Sequence, residues 1–208
     1  MQPFLVLTGD LVESSKLEPE TLDAAMDVIG RAMQEISGWR TDPGFRAGFG
    51  RRGGDGWQMV FNDPTLALRA TLYVLAALRA HVAAVETRIA VATGEGLLPD
   101  NDDPNLAHGP AFTASGRALE GMDRHARLIH ASGGAMGAAF RLADEIAQSW
   151  TQAQARAVVL VLPPNAGTRH DAAEHLGITR SAVNQALWSA GYRALSDAID
   201  LLETETAP

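Results

Sequence analysis

The stretch Phe49-Gly50-Arg51-Arg52-Gly53-Gly54-Asp55-Gly56-Trp57-Gln58-Met59-Val60-Phe61 decides how the rest of the chain is read. Two short runs meet at a glycine-rich turn. Tight hairpin turns need positive φ angles that Gly adopts at no steric cost, so Asp-Gly inside such a run marks a β-hairpin and displays Asp55 at a rigid corner. Upstream, Phe4-Leu5-Val6-Leu7-Thr8-Gly9-Asp10 is an apolar run ending in Gly-Asp, the pattern of a buried strand that carries a polar residue into a loop.

Between these runs, Pro19 to about Trp39 reads as a helix, with Leu22, Ala25, Met26, Ile29, Met33 and Ile36 at three- and four-residue steps. After the hairpin, Asn62-Asp63-Pro64 opens a second helix, Thr65 to about Val82. That helix is apolar nearly all round, which suits either deep burial or a subunit interface. Thr87 to Gly94 is a strand, Leu97 to Asn105 a mobile surface loop rich in Pro, Asp and Asn, and Pro110 to Glu120 a helix. Arg127 to His130 is a short strand and Ala135 to about Trp150 a helix. The order of elements implies an α/β (α+β) fold, a ferredoxin-like mixed sheet covered by helices. From Thr151 the strands stop. Helical stretches at Gln152–Leu162, His170–Leu176, Arg180–Ala190 and Leu195–Leu202 define a small all-α unit, so the domains are expected at 1–149 and 150–208.

Composition narrows the classes. The chain has 208 residues, 46% hydrophobic and 20% charged, which is the balance of a globular protein. With no cysteine, disulfides, thiolate metal sites and cysteine nucleophiles are excluded. A formal charge of -8 speaks against a large nucleic-acid-coating surface but leaves room for a local patch. There is no long apolar run and no leader-like N-terminus, so a soluble, cytoplasmic protein without membrane contact is expected. The pairs His125/His130 and His170/His175 are five apart, share no helix face, and are assigned no metal role. Trp39 and Trp150 read as core or junction aromatics.

Asp10 and Asp55 each stand just off a strand end, and the proposed sheet puts the first strand beside the hairpin. Two carboxylates brought to one edge repel unless a cation lies between them, so the pair is a natural Mg²⁺ or Mn²⁺ site completed by water and phosphate oxygens. Ser14, Ser15 and the amides that follow lie where a helix begins, a place suited to phosphate. Arg51, Arg52 and Arg117 are candidates for neutralising charge.

These residues resemble the class III nucleotide cyclases over roughly Phe4 to Ser132. The resemblance implies that Asp10 and the Asp55 of Gly54-Asp55-Gly56-Trp57 hold the metals, and it matches the strand Arg88 to Glu95 to one ending in Thr-Gly-Glu. It also implies that the helix from Gly109 supplies Thr113 and Arg117 to the site of a partner subunit, in a homodimer acting on a nucleotide. Thr113 stands where that family has a ribose-orienting Asn, Arg51 where it has a base-selecting Lys, and Leu106 near a base-selecting Asp. Glu13-Ser14 replaces a glycine-aromatic pair. The chain is also similar to the SatD-type group of small bacterial proteins in its Thr-Gly-Asp opening, in Gly54-Asp55-Gly56-Trp57-Gln58 and in Gly109-Pro110-Ala111-Phe112.

At the other end, Leu176 to Leu187 looks like a bacterial helix-turn-helix. Val183, Ala186, Leu187 and Ala190 form its inner face. Arg180, Ser181, Asn184 and Gln185 are residue types that contact phosphates and base edges, which makes DNA a candidate partner. Against this, the segment from Thr151 has four arginines and six acids, whereas a DNA-binding module is usually basic. Three readings follow: a regulator with a degenerate nucleotide- or metal-sensing domain, an active homodimeric cyclase, and a structural dimerisation protein.

Overall fold

The first strand, β1 (Gln2–Leu11), sets the two faces of the molecule by alternation. Leu5, Leu7 and Leu11 join the large core, whereas Phe4 and Val6 pack in a smaller cluster with Ala111 and Phe112. The computed structural model describes residues 2–82 and 85–206. Around β1 lie β2 (Ala47–Arg52) and β3 (Gly56–Phe61), which form the expected hairpin, then β4 (Thr87–Gly96) and β5 (Leu128–His130). The sheet order is β2-β3-β1-β4-β5, antiparallel except for the β4–β5 pair, so the sheet is mixed as expected.

Helices α1 (Pro19–Ser37) and α2 (Ala67–His81) cover the face bearing Leu5 and Leu7, and α3 (Pro110–Glu120) covers the other. On the α3 side a buried polar chain ties three elements: Gln58 Nε2 donates to Thr8 Oγ1 at 2.8 Å, and Thr8 shares a 2.8 Å hydrogen bond with Ser115. The sequence left α2 open between burial and a subunit interface. From Ala67 to Ala80 all but Leu75 and Arg79 are buried, so the chain itself covers α2 on nearly every side.

The Leu97–Asn105 loop is pinned rather than free at the surface. Leu97 bridges His108, Leu98 and Pro104 are buried, and Arg46 donates to Asp102 at 2.8 Å and to the carbonyl oxygens of Leu98 and Pro99. The loop backbone at Asp102 lies directly on Gly48, where any side chain would overlap it.

Beyond α4 (Gly134–Gln148) come α5 (Gln152–Val161), α6 (Arg169–Leu176), α7 (Arg180–Ser189) and α8 (Tyr192–Thr206). Thr151, Thr168 and Thr179 cap α5, α6 and α7 with their hydroxyls, satisfying amides that would otherwise lack partners. Gly177 ends α6 in the left-handed conformation, at φ 65°, a position where a side chain would be strained. One apolar cluster runs from α1 and α2 through Val158, Val183, Leu187 and Ile199. No described helix is long and apolar enough to cross a membrane.

Arg69 on α2 is the polar clamp of this junction. It donates to Glu203 at 2.7 and 3.0 Å, to Asp200 at 3.3 Å and to the Leu162 carbonyl at 2.8 Å. Its side chain is 9% exposed while Asp200 is largely in water, so the Glu203 bond carries most of the interaction. Removing one partner of a buried pair strands the other, and Arg69→Ala is expected to lower stability by about 2–3 kcal/mol in urea unfolding.

His130 is buried against Phe140 with ring centroids 5.0 Å apart, and among the described residues its Nε2 has no partner. Burial pushes its pKa down from 6.5 to about 4. The unfolded chain therefore binds the extra proton first. The neutral ring's contribution is complete above pH 6.5 and is lost as pH falls from there to about 4, up to about 3 kcal/mol. The stability difference between the wild type and His130→Gln, followed by urea unfolding across that window, is expected to shrink as pH falls.

Candidate functional site

The site is built on the end of β1. Gly9 lies opposite Trp57 in the β1–β3 register, and a β-carbon at residue 9 would overlap the indole ring and lie 2.7 Å from the Arg88 carbonyl oxygen. The bare glycine lets Trp57 cross beneath the strand, fully buried. Its Nε1–H donates to Thr87 Oγ1 at 3.0 Å, and that hydroxyl donates to the Asp10 carbonyl at 2.7 Å. The hairpin aromatic thus fixes the backbone that carries Asp10.

Asp10 lies directly opposite Arg88 in the β1–β4 register. Arg88 Nε donates to Asp10 Oδ1 at 2.8 Å and its terminal nitrogen to Oδ2, a bidentate pair. The hydrogen bond to Asp10 outweighs burial and, with the nearby charges of Asp10 and Asp55, holds the guanidinium above its ordinary pKa. Asp55 is brought to the same edge, since its carbonyl accepts from the Leu11 amide at 3.2 Å and its carboxylate accepts from Ser14 Oγ.

This donor set, as arranged, does not fit a divalent cation. Mg²⁺ and Mn²⁺ want several free oxygens at short range. Both oxygens of Asp10 are held by Arg88, one oxygen of Asp55 by Ser14, and no cluster of three or more acidic, His or Cys ligands occurs among the described residues.

The other residues singled out from sequence are spread more widely. Ser15 is exposed in a single turn of 3₁₀ helix, Ser14–Lys16, whose following amides at Lys16 and Leu17 are already bonded to Glu13 and Ser14 carbonyls. Arg51 points to the α1 side, donating to Asp23 at 3.0 Å and to the Gly54 carbonyl at 3.1 Å, and is not brought to the aspartate pair. Thr113 and Arg117, one turn apart on α3, are both exposed, and the Arg117 side chain has no ion-pair partner among the described residues. On α7, Arg180, Ser181 and Gln185 face solvent, while Asn184 is half-buried and accepts from Arg169 at 3.0 Å.

Sequence reasoning missed Thr87 and Arg88. The available signal was a Thr-Arg pair opening an otherwise apolar strand, but its meaning depends on register.

No family model matches the chain, and no curated protein matches it. Among solved structures it is similar to the guanylyl cyclase Cya2, at 16% identity over 64% of this chain and 79% of that one, with a TM-score of 0.42. It is also similar to the adenylyl cyclase CyaB from P. aeruginosa, at 19% identity over 59% of this chain and 73% of that one, with a TM-score of 0.35. Likenesses this distant concern the fold and carry no chemistry over.

Ser14 is the tie between the post-β1 turn and the hairpin tip. Ser14→Ala is expected to lower stability by about 1–2 kcal/mol, the worth of a hydrogen bond to a charged group, and to speed amide exchange at residues 13–17.

Proposed function

We propose that the chain is a cytoplasmic, SatD-type bacterial transcriptional regulator, in which residues 150–208 form a DNA-binding helix-turn-helix and residues 1–149 a degenerate cyclase-like domain that dimerises and senses a nucleotide. The observation that carries this reading is the way α7 is presented. Val183 and Leu187 anchor it in the core, Gly177 and the Thr179 cap set its angle to α6, and Arg180, Ser181 and Gln185 are left facing water. Arg169 bonds the Asn184 oxygen, which orients that amide and leaves its NH₂ free to donate.

Net charge had weighed against DNA, and the distribution of the acids answers part of that objection. Helix α7 carries Arg180 and no acid. Asp200 and Glu203 are engaged by Arg69, and Asp171 closes the capping box of α6. The surface offered to a phosphate backbone is therefore less acidic than the segment total.

In this reading Ser14, Ser15 and Arg51 are candidate nucleotide contacts, and Thr113 and Arg117 face the partner subunit. A metal-dependent cyclase is the weaker reading, because Asp10 would first have to give up Arg88. A purely structural role leaves the solvent-facing residues of α7 with nothing to contact.

Mobility shift of the chain's own promoter DNA at low salt tests the proposal. A sequence-specific complex is expected, and Arg180→Ala or Gln185→Ala should weaken it by about 1–3 kcal/mol, roughly five- to 150-fold, relative to unrelated DNA. No specific shift by the folded wild type would sink it.

A further inference from the structure

The two aspartates at the end of β1 and the tip of the hairpin pose an electrostatic problem that the chain must solve in some way. Two carboxylates on one sheet edge repel in proportion to how little water screens them, and Asp10 has a side chain only 22% exposed. The usual external remedy is a divalent cation. Here the remedy is internal. Arg88 sits on the neighbouring strand, directly across from Asp10, and engages both of its carboxylate oxygens. Its guanidinium also lies within the field of Asp55.

We infer that Arg88 is a built-in cation occupying the metal position of the Asp10–Asp55 pair, so that the site is closed to divalent metal while Arg88 is present. Three features of the geometry support this. Each oxygen of Asp10 accepts from Arg88 in a planar fork, and a point charge could take the place of the guanidinium only by breaking two charge-assisted hydrogen bonds. Asp55 has its own partner in Ser14, which turns one of its oxygens toward the post-β1 turn. The backbone that carries Asp10 is fixed as well, because its carbonyl is held through Thr87 to a fully buried Trp57. Arg88 is thereby a positioning residue: it ties β4 to β1 at Asp10, and its charge acts on Asp55 at the hairpin tip.

The inference stands apart from the DNA-binding reading, and a failure to shift DNA leaves it untouched. Mn²⁺ binding by electron paramagnetic resonance on the full chain tests it, with melting temperature as a second readout. The wild type is expected to bind Mn²⁺ no more tightly than about millimolar, and Asp10→Asn should not change that. Arg88→Gln, which keeps a polar side chain but is shorter and uncharged, is expected to gain at least about tenfold in Mn²⁺ affinity and to be raised in melting temperature by Mn²⁺. The gain should vanish in Arg88→Gln/Asp55→Asn and be absent in Arg88→Lys, which retains the positive charge. Micromolar Mn²⁺ binding by the wild type that disappears in Asp10→Asn would overturn the inference. So would a folded Arg88→Gln with no gain in affinity. Should Arg88→Gln fail to fold, the wild-type and Asp10→Asn titrations decide the question.

Discussion

A side chain at residue 9 cannot coexist with Trp57 where it lies, and much of the molecule follows from that one exclusion. Because Gly9 has no β-carbon, the indole ring passes beneath β1 and reaches Thr87 on β4. One aromatic side chain therefore joins three adjacent strands, with the hairpin on one side of β1 and β4 on the other. A fully buried large aromatic contributes roughly 2–3 kcal/mol by burial alone. Its polar nitrogen is used as well, so no unpaired donor offsets that gain. The Thr87 hydroxyl passes the constraint to the Asp10 carbonyl, and Asp10 is held by its backbone as well as by its side chain.

Charge is then handled by arginines lodged between elements. Arg88 spans β4 and β1, Arg69 spans α2, α5 and α8, and Arg127 with Arg79 converges on Glu86. Arg46 holds the Leu97–Asn105 loop on the sheet. These differ from the fully exposed pair Lys16–Glu13, which solvent screens to a fraction of a kcal/mol. A guanidinium suits such places because its planar fork satisfies a carboxylate and a carbonyl at once and never loses its proton. The arrangement fixes register and helix docking more than it adds stability, since each ion also gives up hydration.

The hairpin, the element order and the nearness of Asp10 to Asp55 were legible in the sequence, because Asp55-Gly56 marks a turn and the apolar run ending in Gly9-Asp10 marks a buried strand. Arg88 was not. Its partner depends on the β1–β4 register, and a slip of one residue would send its side chain to the opposite face. The side taken by Arg51 was legible but went unread: alternation places it with Phe49, and Phe49 packs toward α1 at Gly30. For Leu97–Asn105, composition gave irregular backbone correctly but could not show that Arg46, just before β2 and far away in sequence, would pin it down.

Helix α2 shows how the two halves of the chain depend on each other. Its sequence is apolar nearly all round, and one helix can be covered on all sides only if something packs on the face away from the sheet. Helix α5 and the C-terminal half of α8 supply that cover, joined by Arg69, and the core continues into α7 through Val183 and Leu187. A second copy of the chain therefore cannot dock on α2 without displacing the C-terminal helices. The exposed face of α3 with Thr113 and Arg117 is, by contrast, a surface that the single chain leaves open. That face lies across the sheet from α2, on the side where Phe4 and Val6 pack against Ala111 and Phe112.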